Sequence, residues 1–515
     1  ALGAVGGPEQ AAVVERALAD DDAGVRAAAG RTVGMWARRK LAVPPGARAA
    51  LRKLAGDGDA EVRYAAAYGM ALQPDGDEDL LAGLAGDADA EVRAMALRGL
   101  GARGAGSPDL WARGLADANI WVKVEAVRAL TGAKATPAQL AQAAAFVGPE
   151  PSHAVREALT RLQAHAADPA VRAAFERVGA AATDATVRCL AAAGGARGGA
   201  PLAVLEGCGG PEWARAQLLA QVIADGHGAA DAKLRLWRAF ADARDVRLRA
   251  ASVHIGVKLG DPAIASSVLE HAIDDRSSAV VEAALEHLDG ASEDVLAALV
   301  ARATEETDPE LAGGLLEEIG KRKPPGGERA VARGLAAKNP AIRAAARAAA
   351  KAMGQTVPDE PATVQAPPAD PLVRARRLRV DTSRGSFTIE LVPSLASWNV
   401  SHIVALARRG FYDGTVCHRV VPDFVVQCGD PTATGSGGSG VSIPAEPSAE
   451  RYVRGTAGIA DAGKDTGDSQ WFVMHSPAPH LEGRYTVIGH VPAADQRVVD
   501  ALQVGDTIDR VVVEE

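Results

Sequence analysis

The residues best suited to chemistry lie close together in the last third of the chain, in residues 416–430. Two apolar-rich stretches there are joined by a Pro-Asp pair, which predicts two strands and a turn. Because side chains alternate between the faces of a strand, Arg419 is expected to share a face with Val425 and Gln427. A guanidinium and an amide beside an apolar wall can orient a polar group by hydrogen bonds, without a metal or a nucleophile.

The same alternation directs His418, Val420, Val426 and Cys428 to the opposite, inward face. It places Cys417 on the outer side of the pair. A disulfide between Cys417 and Cys428 is therefore not expected, because it would need a bulge in one strand. The four cysteines have no CxxC spacing, and we expect them to be small buried residues.

Two further features could suggest other kinds of site. His475 and His480 flank a Ser-Pro-Ala-Pro loop with no cysteine or carboxylate to complete a tetrahedral set, so we expect no metal ion. The Gly/Ser-rich residues 435–440 lack the Lys-Ser/Thr that follows in a phosphate-binding loop, which predicts a flexible turn. We therefore expect no cofactor.

The elements around these residues indicate a β-rich domain that begins near Leu372. Residues 378–391 alternate apolar and polar side chains around a Ser-Arg-Gly-Ser sequence, which is typical of a β-hairpin. Residues 398–409 carry apolar side chains at helical spacing, and Gly410 follows as a stop, which predicts a helix.

Three ordered motifs in this region resemble one family. The segment FYDGTVCHRVVPDFVVQCGDP, residues 411–431, resembles the signature of the cyclophilin-type peptidyl-prolyl cis/trans isomerases. Residues 455–463 with 468–473 resemble the second active-site segment of that family, and residues 480–489 a third. The resemblance covers nearly all of residues 376–515. It implies an eight-stranded β-barrel capped by two helices, with the substrate groove on its outer surface.

The resemblance also implies roles for individual residues. Arg419 matches the family's catalytic arginine, and Gln427 stands where the family orients that arginine by a hydrogen bond. The substrate-binding positions implied by the match are Phe424, Val425, Ala460, Asp461, Ala462, Gln470, Phe472, His480, Leu481 and Tyr485. Main-chain groups around Ala460, Asp461 and Ala462 would hold a peptide as an added extended segment.

The implied reaction is rotation about an X–Pro bond in a proline-containing polypeptide. Its barrier is about 18–20 kcal/mol, because the amide nitrogen shares its lone pair with the carbonyl group. A fixed guanidinium that donates towards the prolyl nitrogen favours the twisted state over the planar amide and so lowers this barrier. The apolar residues at the matched positions would form the pocket for the proline ring.

Four of the implied substrate-binding residues depart from the pattern of the family, as do Cys417 and Cys428, which stand where Phe and Gly are frequent. Asp461 replaces an uncharged residue, and we expect an altered substrate preference there, since the family's contact is made by the main chain. Val425 replaces a frequent Met and shortens one wall of the pocket. His480 stands where cyclosporin-sensitive members carry Trp, and Tyr485 replaces a His that is common in eukaryotic relatives.

A short phrase repeats through the first two thirds of the chain. Asp, Asn or Ser precedes a Val-Arg or similar pair, as at Val62 and Val92, and the anchors stand about 30 to 37 residues apart. We count eleven units, the eighth anchored on Val246 and Arg247. Each unit is predicted to be two short helices, which must stack on their neighbours to bury their apolar faces. The pattern resembles HEAT-like repeats over roughly residues 10–353.

The predicted fold class is multidomain. It comprises an N-terminal α-α superhelix of HEAT-like repeats (residues 1–353), a Pro-rich spacer (354–371) and the cyclophilin-like domain (372–515). The recurring Arg of the repeats is expected to be structural, bonding the acidic cap or the carbonyl groups of the adjacent repeat. The solenoid surface suits a protein partner, whose identity the sequence does not give.

Composition excludes several classes of function. The chain has 515 residues, of which 48% are hydrophobic and only 4% aromatic, which favours closely packed helices over most of its length. Its net charge of −9 and the lack of a basic run argue against nucleic acid as a partner. No apolar run reaches the ~18–20 residues needed to cross a bilayer, so no membrane span is expected.

The first residue bears on location. The sequence begins at Ala1 without an initiator Met, which favours the loss of a signal peptide and export to the cell envelope, such as the periplasm. A truncated sequence would begin in the same way, and the cytoplasm is the alternative.

The sequence therefore predicts a peptidyl-prolyl isomerase that assists protein folding and carries a helical domain for protein interaction. One alternative is a non-catalytic scaffold or chaperone that binds proline-containing segments without turning them over. A further alternative gives the main role to the solenoid as an assembly platform.

Overall fold

The structure is a computed structural model that describes residues 2–357 and 375–515. Residue contacts divide the chain into two compact units, one of residues 1–200 with 476–480 and one of residues 201–475 with 481–515. Of the predicted spacer, residues 358–371 lie outside the described part, as does the predicted domain start at Leu372.

The first unit is built from helices. They are α1 (Leu2–Val5), α2 (Ala11–Ala17), α3 (Ala23–Arg38), α4 (Pro45–Leu54), α5 (Ala60–Ala71), α6 (Glu78–Leu84), α7 (Ala90–Arg103), α8 (Pro108–Ala116), α9 (Ile120–Leu130), α10 (Pro137–Phe146), α11 (His153–Leu162), α12 (Pro169–Ala181) and α13 (Ala185–Arg197), with 3-10 turns at Pro8–Gln10 and Gln163–His165. Polar caps start many of these helices, as predicted. Asp59, for example, accepts hydrogen bonds from the backbone N–H groups of Glu61 and Val62 ahead of α5.

The second unit continues the helical series before its strands begin. Its helices are α14 (Ala203–Glu206), α15 (Glu212–Ala224), α16 (Ala230–Ala241), α17 (Val246–Gly256), α18 (Pro262–Ile273), α19 (Ser278–Leu285), α20 (Glu293–Glu305), α21 (Pro309–Arg322), α22 (Gly327–Leu335) and α23 (Pro340–Ala352). Within described residues 2–357, α2 to α23 form eleven successive pairs, which is the predicted number. Buried leucines and isoleucines such as Leu299, Leu315 and Ile319 fill the space between them.

The recurring arginine ties several of the repeats to the next one. Nε of Arg63 donates to Asp87 of the following repeat at 2.8 Å, and Nε of Arg93 repeats the contact with Asp117 at 2.8 Å. The same guanidinium of Arg63 also donates to the carbonyl groups of Asp57 and Gly58. The role is structural, as expected, but these carbonyl groups belong to the repeat of the arginine itself.

The eighth repeat corrects one predicted anchor. Helix α17 is capped by Asp245, so Leu248, and not Val246, occupies the buried position three residues after the cap. The arginine of the ladder is accordingly Arg249, which pairs with Asp275 at 3.0 Å. The predicted Arg247 instead pairs with Asp245, because the Val-Arg phrase lies two residues too early in this unit.

The second unit also contains an eight-stranded antiparallel sheet. Its strands are β1 (Arg377–Thr382), β2 (Gly385–Leu391), β3 (Arg419–Val421), β4 (Val425–Cys428), β5 (Thr456–Ile459), β6 (Trp471–Met474), β7 (Val487–His490) and β8 (Ile508–Glu514). They pair in the order β3-β4-β6-β5-β7-β2-β1-β8. A bridge between Val416 and Thr507, next to the two end strands, curls the sheet into a barrel.

Two helices, α24 (Ser397–Arg408) and α25 (Gln496–Ala501), cap the barrel. The predicted helix and hairpin are thus present. The barrel core is a continuous apolar cluster that includes Phe387, Val426 and Trp471, and α24 and α25 add Ile403 and Val499.

The expectation about Cys417 and Cys428 is wrong, because the two residues form a disulfide with a Cα–Cα distance of 4.2 Å. Strand alternation does not apply to Cys417, since β3 begins only at Arg419. Both residues are fully buried in the barrel core. Cys189 and Cys208 are also disulfide-bonded, so the cysteines are buried as predicted but are not free thiols.

Among the described residues, no helix combines the length and the apolar character needed to span a membrane. A 3-10 turn, Pro479–Leu481, lies between β6 and β7 in the chain.

Candidate active site

The register of four adjacent strands places the central residues of the site in one row. Arg419 pairs with Gln427 across β3 and β4, Gln427 pairs with Phe472 across β4 and β6, and Phe472 pairs with Gly458 across β6 and β5. Directly paired residues point to the same face of a sheet. The row therefore presents a guanidinium, an amide and an aromatic ring side by side on the outer face of the barrel.

A cavity of about 510 Å³ lies over this row. It is lined by nine of the predicted site residues, namely Arg419, Phe424, Val425, Gln427, Ala460, Asp461, Phe472, Leu481 and Tyr485. Val425, Phe472 and Leu481 are buried, and Phe424 and Tyr485 are half-buried. The structure thus brings together a basic group and an apolar hollow of the size suited to small ligands.

His418 and Thr434 also line this cavity. His418 was predicted to face inward, but it is only half-buried and contributes to the cavity wall. His418 lies just before β3, where the regular alternation of side chains has not yet begun.

A chain of amide hydrogen bonds fixes the guanidinium. Nη1 of Arg419 donates to Oε1 of Gln427 at 3.2 Å, and Nε2 of Gln427 donates to Oε1 of Gln470 at 2.8 Å. Gln470 in turn donates to the carbonyl oxygens of Gly435 at 2.6 Å and Gly437 at 2.9 Å. Each amide is oriented by the next, so Arg419 is connected to the Gly/Ser-rich residues 435–440, called the glycine-rich loop below.

That loop is itself anchored by a buried carboxylate. Asp430 is fully buried and accepts hydrogen bonds from the backbone N–H groups of Thr432, Thr434 and Gly435. Burial alone would raise the pKa of Asp430, but these hydrogen bonds hold it below its usual range. The segment predicted as a flexible turn is therefore tied down at its first residues.

Arg419 keeps an exposed surface at the edge of the cavity. The protein atoms that crowd its guanidinium lower its pKa, and the nearby Tyr485 partly opposes this change. A guanidinium stays protonated in proteins at neutral pH, so Arg419 remains a hydrogen-bond donor there.

Phe472, which lines the cavity, packs on one aromatic residue that the sequence did not single out. The ring of Tyr452 stacks on Phe472 with centroids 5.8 Å apart, and Tyr485 meets the same ring edge-on at 6.0 Å. A Cβ at Gly458 would lie 2.7 Å from the Tyr452 hydroxyl and 2.8 Å from Phe472, so glycine is needed beneath this stack. Tyr452 lies outside any strand, and only its aromatic character could have indicated it.

A smaller cavity of about 100 Å³ adjoins the first and shares Gln427, Gly435, Ala460 and Asp461 with it. Its lining includes the predicted residues Ala462 and Gln470. Three further carboxylates contribute to its wall, those of Asp308, Glu310 and Asp468. This cavity therefore has a strongly acidic rim.

Two of these acids have raised pKa values. Burial raises the pKa of Asp461 to about 6, and the hydrogen bond from the Gly463 N–H only partly offsets this. Crowding by protein atoms, followed by the charges of Glu282 and Asp308, raises the pKa of Glu310 to about 7, although part of this side chain stays exposed. The charge of the rim therefore changes between pH 5 and 8.

Two hydrogen bonds join helix α19 to the loop of residues 435–440. Ser278 Oγ donates to the carbonyl oxygen of Ser436 at 3.1 Å, and Ser436 Oγ donates to Glu282. Sequence reasoning missed Asp308, Glu310 and Ser278, because they are more than a hundred residues from the motifs.

The remaining predicted residues fall partly outside the cavities. His480 lies in the 3-10 turn Pro479–Leu481 and lines neither cavity. The N–H of Ala460 donates to the Gln470 carbonyl and that of Ala462 to Thr466 Oγ1, so these two donors are engaged within the protein. Peptide contacts expected at this segment would fall on its other main-chain groups.

Comparison with known proteins identifies relatives of this part of the chain. A family model described as "Cyclophilin type peptidyl-prolyl cis-trans isomerase/CLD" matches residues 377–515. The chain is 39% identical over 130 residues to a peptidyl-prolyl cis-trans isomerase of Synechococcus elongatus, covering 25% of this chain and 90% of that protein. It is 47% identical over 104 residues to peptidyl-prolyl cis-trans isomerase B of Bacillus subtilis, covering 20% of this chain and 73% of that protein.

A solved structure gives a weaker similarity. The crystal structure of a cyclophilin type peptidyl-prolyl cis-trans isomerase of Cryptosporidium parvum matches with 26% identity and a TM-score of 0.26, covering 27% of this chain and 98% of that one.

Proposed function

Because the chain belongs to the cyclophilin-type peptidyl-prolyl cis/trans isomerase family, we propose that it accelerates rotation about X–Pro bonds, with Arg419 as the catalytic residue. The observation that carries this proposal is the fixed guanidinium at the edge of an apolar cavity, held through Gln427 and Gln470. The name of the family describes the activity, and the residue roles are our inference.

The cavity supplies what a proline ring needs. Phe472 and Val425 offer buried apolar surface, and Leu481 and Tyr485 close the hollow at its edge. A proline seated there places its ring nitrogen near the guanidinium. In the twisted state this nitrogen regains its lone pair and becomes a better acceptor, so a donor fixed beforehand stabilises the transition state more than the planar amide.

No acid, base or nucleophile enters this reaction, since no covalent bond other than the rotating one changes character. The main demand is positional, because misplacement of a donor by about 1 Å can reduce a rate by about a hundredfold. The amide chain from Arg419 to the glycine-rich loop meets that demand. Gln427 is therefore proposed as a positioning residue.

The test is an isomerisation assay on an Ala-Pro peptide, coupled to chymotrypsin, which cleaves only one isomer. We expect Arg419→Ala to lower kcat/KM by at least about a hundredfold, as for loss of a main transition-state donor. Arg510→Ala is the matched control, because Arg510 is an exposed arginine on β8 outside both cavities. Equal activity of the two variants would refute the role of Arg419.

For the helical part we propose a HEAT-like solenoid over residues 1–353 that recruits client proteins to the isomerase domain of residues 372–515. The paired helices and the arginine ladder support a stacked array, and such arrays present extended binding surfaces. A cavity of about 490 Å³ between α16, α17 and α18, lined by Trp237, Arg249 and His271, offers a contact point for a client.

Removal of residues 1–355 tests whether the helical part recruits clients while the remaining domain carries the isomerase activity. The Synechococcus relative consists almost entirely of the matched domain, so the remaining residues should fold alone. We expect full activity on a short peptide and lost acceleration of the refolding of a protein client. If the truncated protein refolds that client as fast as the full chain, the solenoid does not recruit it.

A further inference from the structure

A group of side chains that could bind a metal ion lies among the helices of the second unit. His254 is in the last turn of α17, and Glu286 and His287 directly follow α19. The two helices belong to successive repeats and pack against each other. Nδ1 of His254 is 2.8 Å from Nε2 of His287 and 4.0 Å from Oε2 of Glu286, and all three ligand atoms lie within 4.8 Å of one another.

We propose that His254, Glu286 and His287 form a binding site for a divalent transition-metal ion of the Zn²⁺, Ni²⁺ or Cu²⁺ class. Two imidazoles with one carboxylate match the ligand preference of these ions, whereas Mg²⁺ and Ca²⁺ prefer oxygen ligands. Three protein ligands leave a position for water, as in open tetrahedral sites.

The geometry needs only a small adjustment to hold an ion. With metal–nitrogen distances of about 2.0–2.1 Å, two nitrogens of a tetrahedral site stand about 3.3 Å apart. The present 2.8 Å is the distance of a direct hydrogen bond, so the rings must separate by about half an ångström. The rings meet edge-on, with centroids 5.0 Å apart, so a small rotation of either ring opens this gap.

Glu286 can follow this movement. Its side chain is 70% exposed, against 26% for His254, so it is free to turn its carboxylate towards an ion. The carboxylate also supplies the negative charge that the two neutral imidazoles lack.

The proton balance is also favourable. In the hydrogen-bonded pair, one imidazole donates its N–H to the other. Metal binding needs a lone pair on both facing nitrogens, so the donor imidazole must carry its proton on its other ring nitrogen instead. Binding therefore requires a change of tautomer and no net loss of a proton.

The charged groups around the three residues have opposite effects on the affinity for a cation. Burial lowers the pKa of His254, and burial together with His254 and Lys258 lowers that of His287 to about 4. Lys258 brings a positive charge that opposes a cation, whereas Glu286 attracts one. We expect weaker binding than at four-ligand structural zinc sites.

Occupancy would link two neighbouring repeats. His254 comes from one repeat, and Glu286 and His287 from the next. An ion that binds only the folded protein raises its apparent melting temperature in proportion to the logarithm of the ion concentration. Binding and thermal stability are therefore two independent readouts.

The test uses the full chain without an affinity tag, stripped of metal and titrated with ZnCl₂ by calorimetry. We expect one Zn²⁺ per chain, at least about a tenfold loss of affinity in His287→Ala and in His254→Ala, and a smaller loss in Glu286→Gln. His271→Ala is the matched control, because His271 is an exposed histidine on α18 that bonds its own helix through the Ser267 carbonyl. MgCl₂ should give no binding.

Folding of the variants is checked by their melting temperatures in EDTA. If an alanine variant is unfolded, His287→Gln keeps a polar side chain and replaces it. Absence of stoichiometric Zn²⁺ binding to the wild type, or equal affinity in the His287 and His271 variants, would overturn the proposal. The pair would then be a hydrogen bond between repeats and nothing more.

Discussion

Among single residues, Arg419 matters most, because the proposed catalysis depends on how firmly its guanidinium is held. One hydrogen bond of 3.2 Å connects it to Gln427, and Gln427 is oriented by Gln470. An exposed arginine has many rotamers, so this bond selects the one that points over the cavity. The amide chain is therefore expected to affect the rate more than the stability of the fold.

Gln427→Leu tests this dependence. Leucine fills a similar volume but cannot accept from Arg419 or donate to Gln470, so we expect kcat/KM to fall about 10- to 100-fold. The check is the coupled peptide assay, together with the urea midpoint of the barrel, which should change little. Full activity in Gln427→Leu would show that Arg419 needs no support.

The acidic rim gives a prediction about pH. Because the pKa of Asp461 is raised to about 6 and that of Glu310 to about 7, both are largely neutral at pH 5 and charged at pH 8. A peptide with Lys just before the X–Pro unit should therefore gain in kcat/KM over one with Gln as pH rises, by about two- to fivefold. The ratio of the two peptides, measured from pH 5 to 8, removes effects common to both.

Asp461→Asn provides the control for that pH series. It removes the charge that appears near pH 6 and leaves that of Glu310, so the Lys/Gln ratio should rise only around pH 7. A ratio independent of pH in the wild type would mean that the rim does not reach the peptide.

Among the structural elements, a disulfide joins the segment before β3 to the end of β4, at the end of this strand pair where Arg419 and Gln427 lie. The Cys417→Ser, Cys428→Ser double variant should lower the free energy of unfolding of the barrel by about 2–3 kcal/mol, as expected for a short loop. The measurement is the urea concentration at which half of the isomerase activity is lost. Reductant should shift the wild type to the midpoint of the variant.

The double variant also shows whether the other two cysteines affect the urea midpoint. Since it keeps Cys189 and Cys208, its midpoint should not move further when reductant is added. An unchanged midpoint in the double variant without reductant would contradict a stabilising role for the Cys417–Cys428 bond.

Strand alternation and the motifs were enough to predict the row of Arg419, Gln427 and Phe472, because these residues lie in or next to regular strands. They failed for Cys417 and His418, which precede β3, where alternation does not yet hold. Tyr452 could not be predicted either, since it reaches the site from a loop. Its position depends on the barrel fold and not on the local sequence.

Prediction from the sequence was limited in the same way for the helical part. Caps and spacing predicted eleven helix pairs, but in the eighth the Val-Arg phrase misled, because Asp245, and not the phrase, sets where α17 begins. Two acids of the smaller cavity, Asp308 and Glu310, come from the cap and the first turn of α21, far along the chain from Asp461. Only a folded structure brings such distant residues together.

At the scale of the whole molecule, the arginine ladder is expected to couple the repeats. Arg93 and Asp117 form a two-pronged ion pair, with both side chains largely buried. Arg93→Ala leaves Asp117 without this partner and should destabilise the solenoid by about 1–2 kcal/mol. Arg113→Ala, an exposed arginine on α8, should change the stability by less than about 0.5 kcal/mol.

The pH dependence of this pair has a definite sign. Burial raises the pKa of Asp117, but the hydrogen bonds from Arg93 and from the Asn119 N–H, together with the charge of Arg93, outweigh it and leave the pKa below its usual value of about 4. The stability from the pair is therefore present above about pH 4 and is lost as pH falls through the folded-state pKa. Thermal melts at pH 7 and pH 3 should show a smaller difference between wild type and Arg93→Ala at the lower pH.

The proposed isomerase catalyses rotation in its cavity and does not merely bind proline-containing segments there. The most direct measurement is NMR exchange between the cis and trans forms of an Ala-Pro peptide, with wild type and Arg419→Ala at peptide concentrations that saturate both. We predict exchange many times faster than in the free peptide with wild type, and near the uncatalysed rate with the variant, although both bind. Binding without faster exchange in the wild type would contradict the account and favour a non-catalytic scaffold.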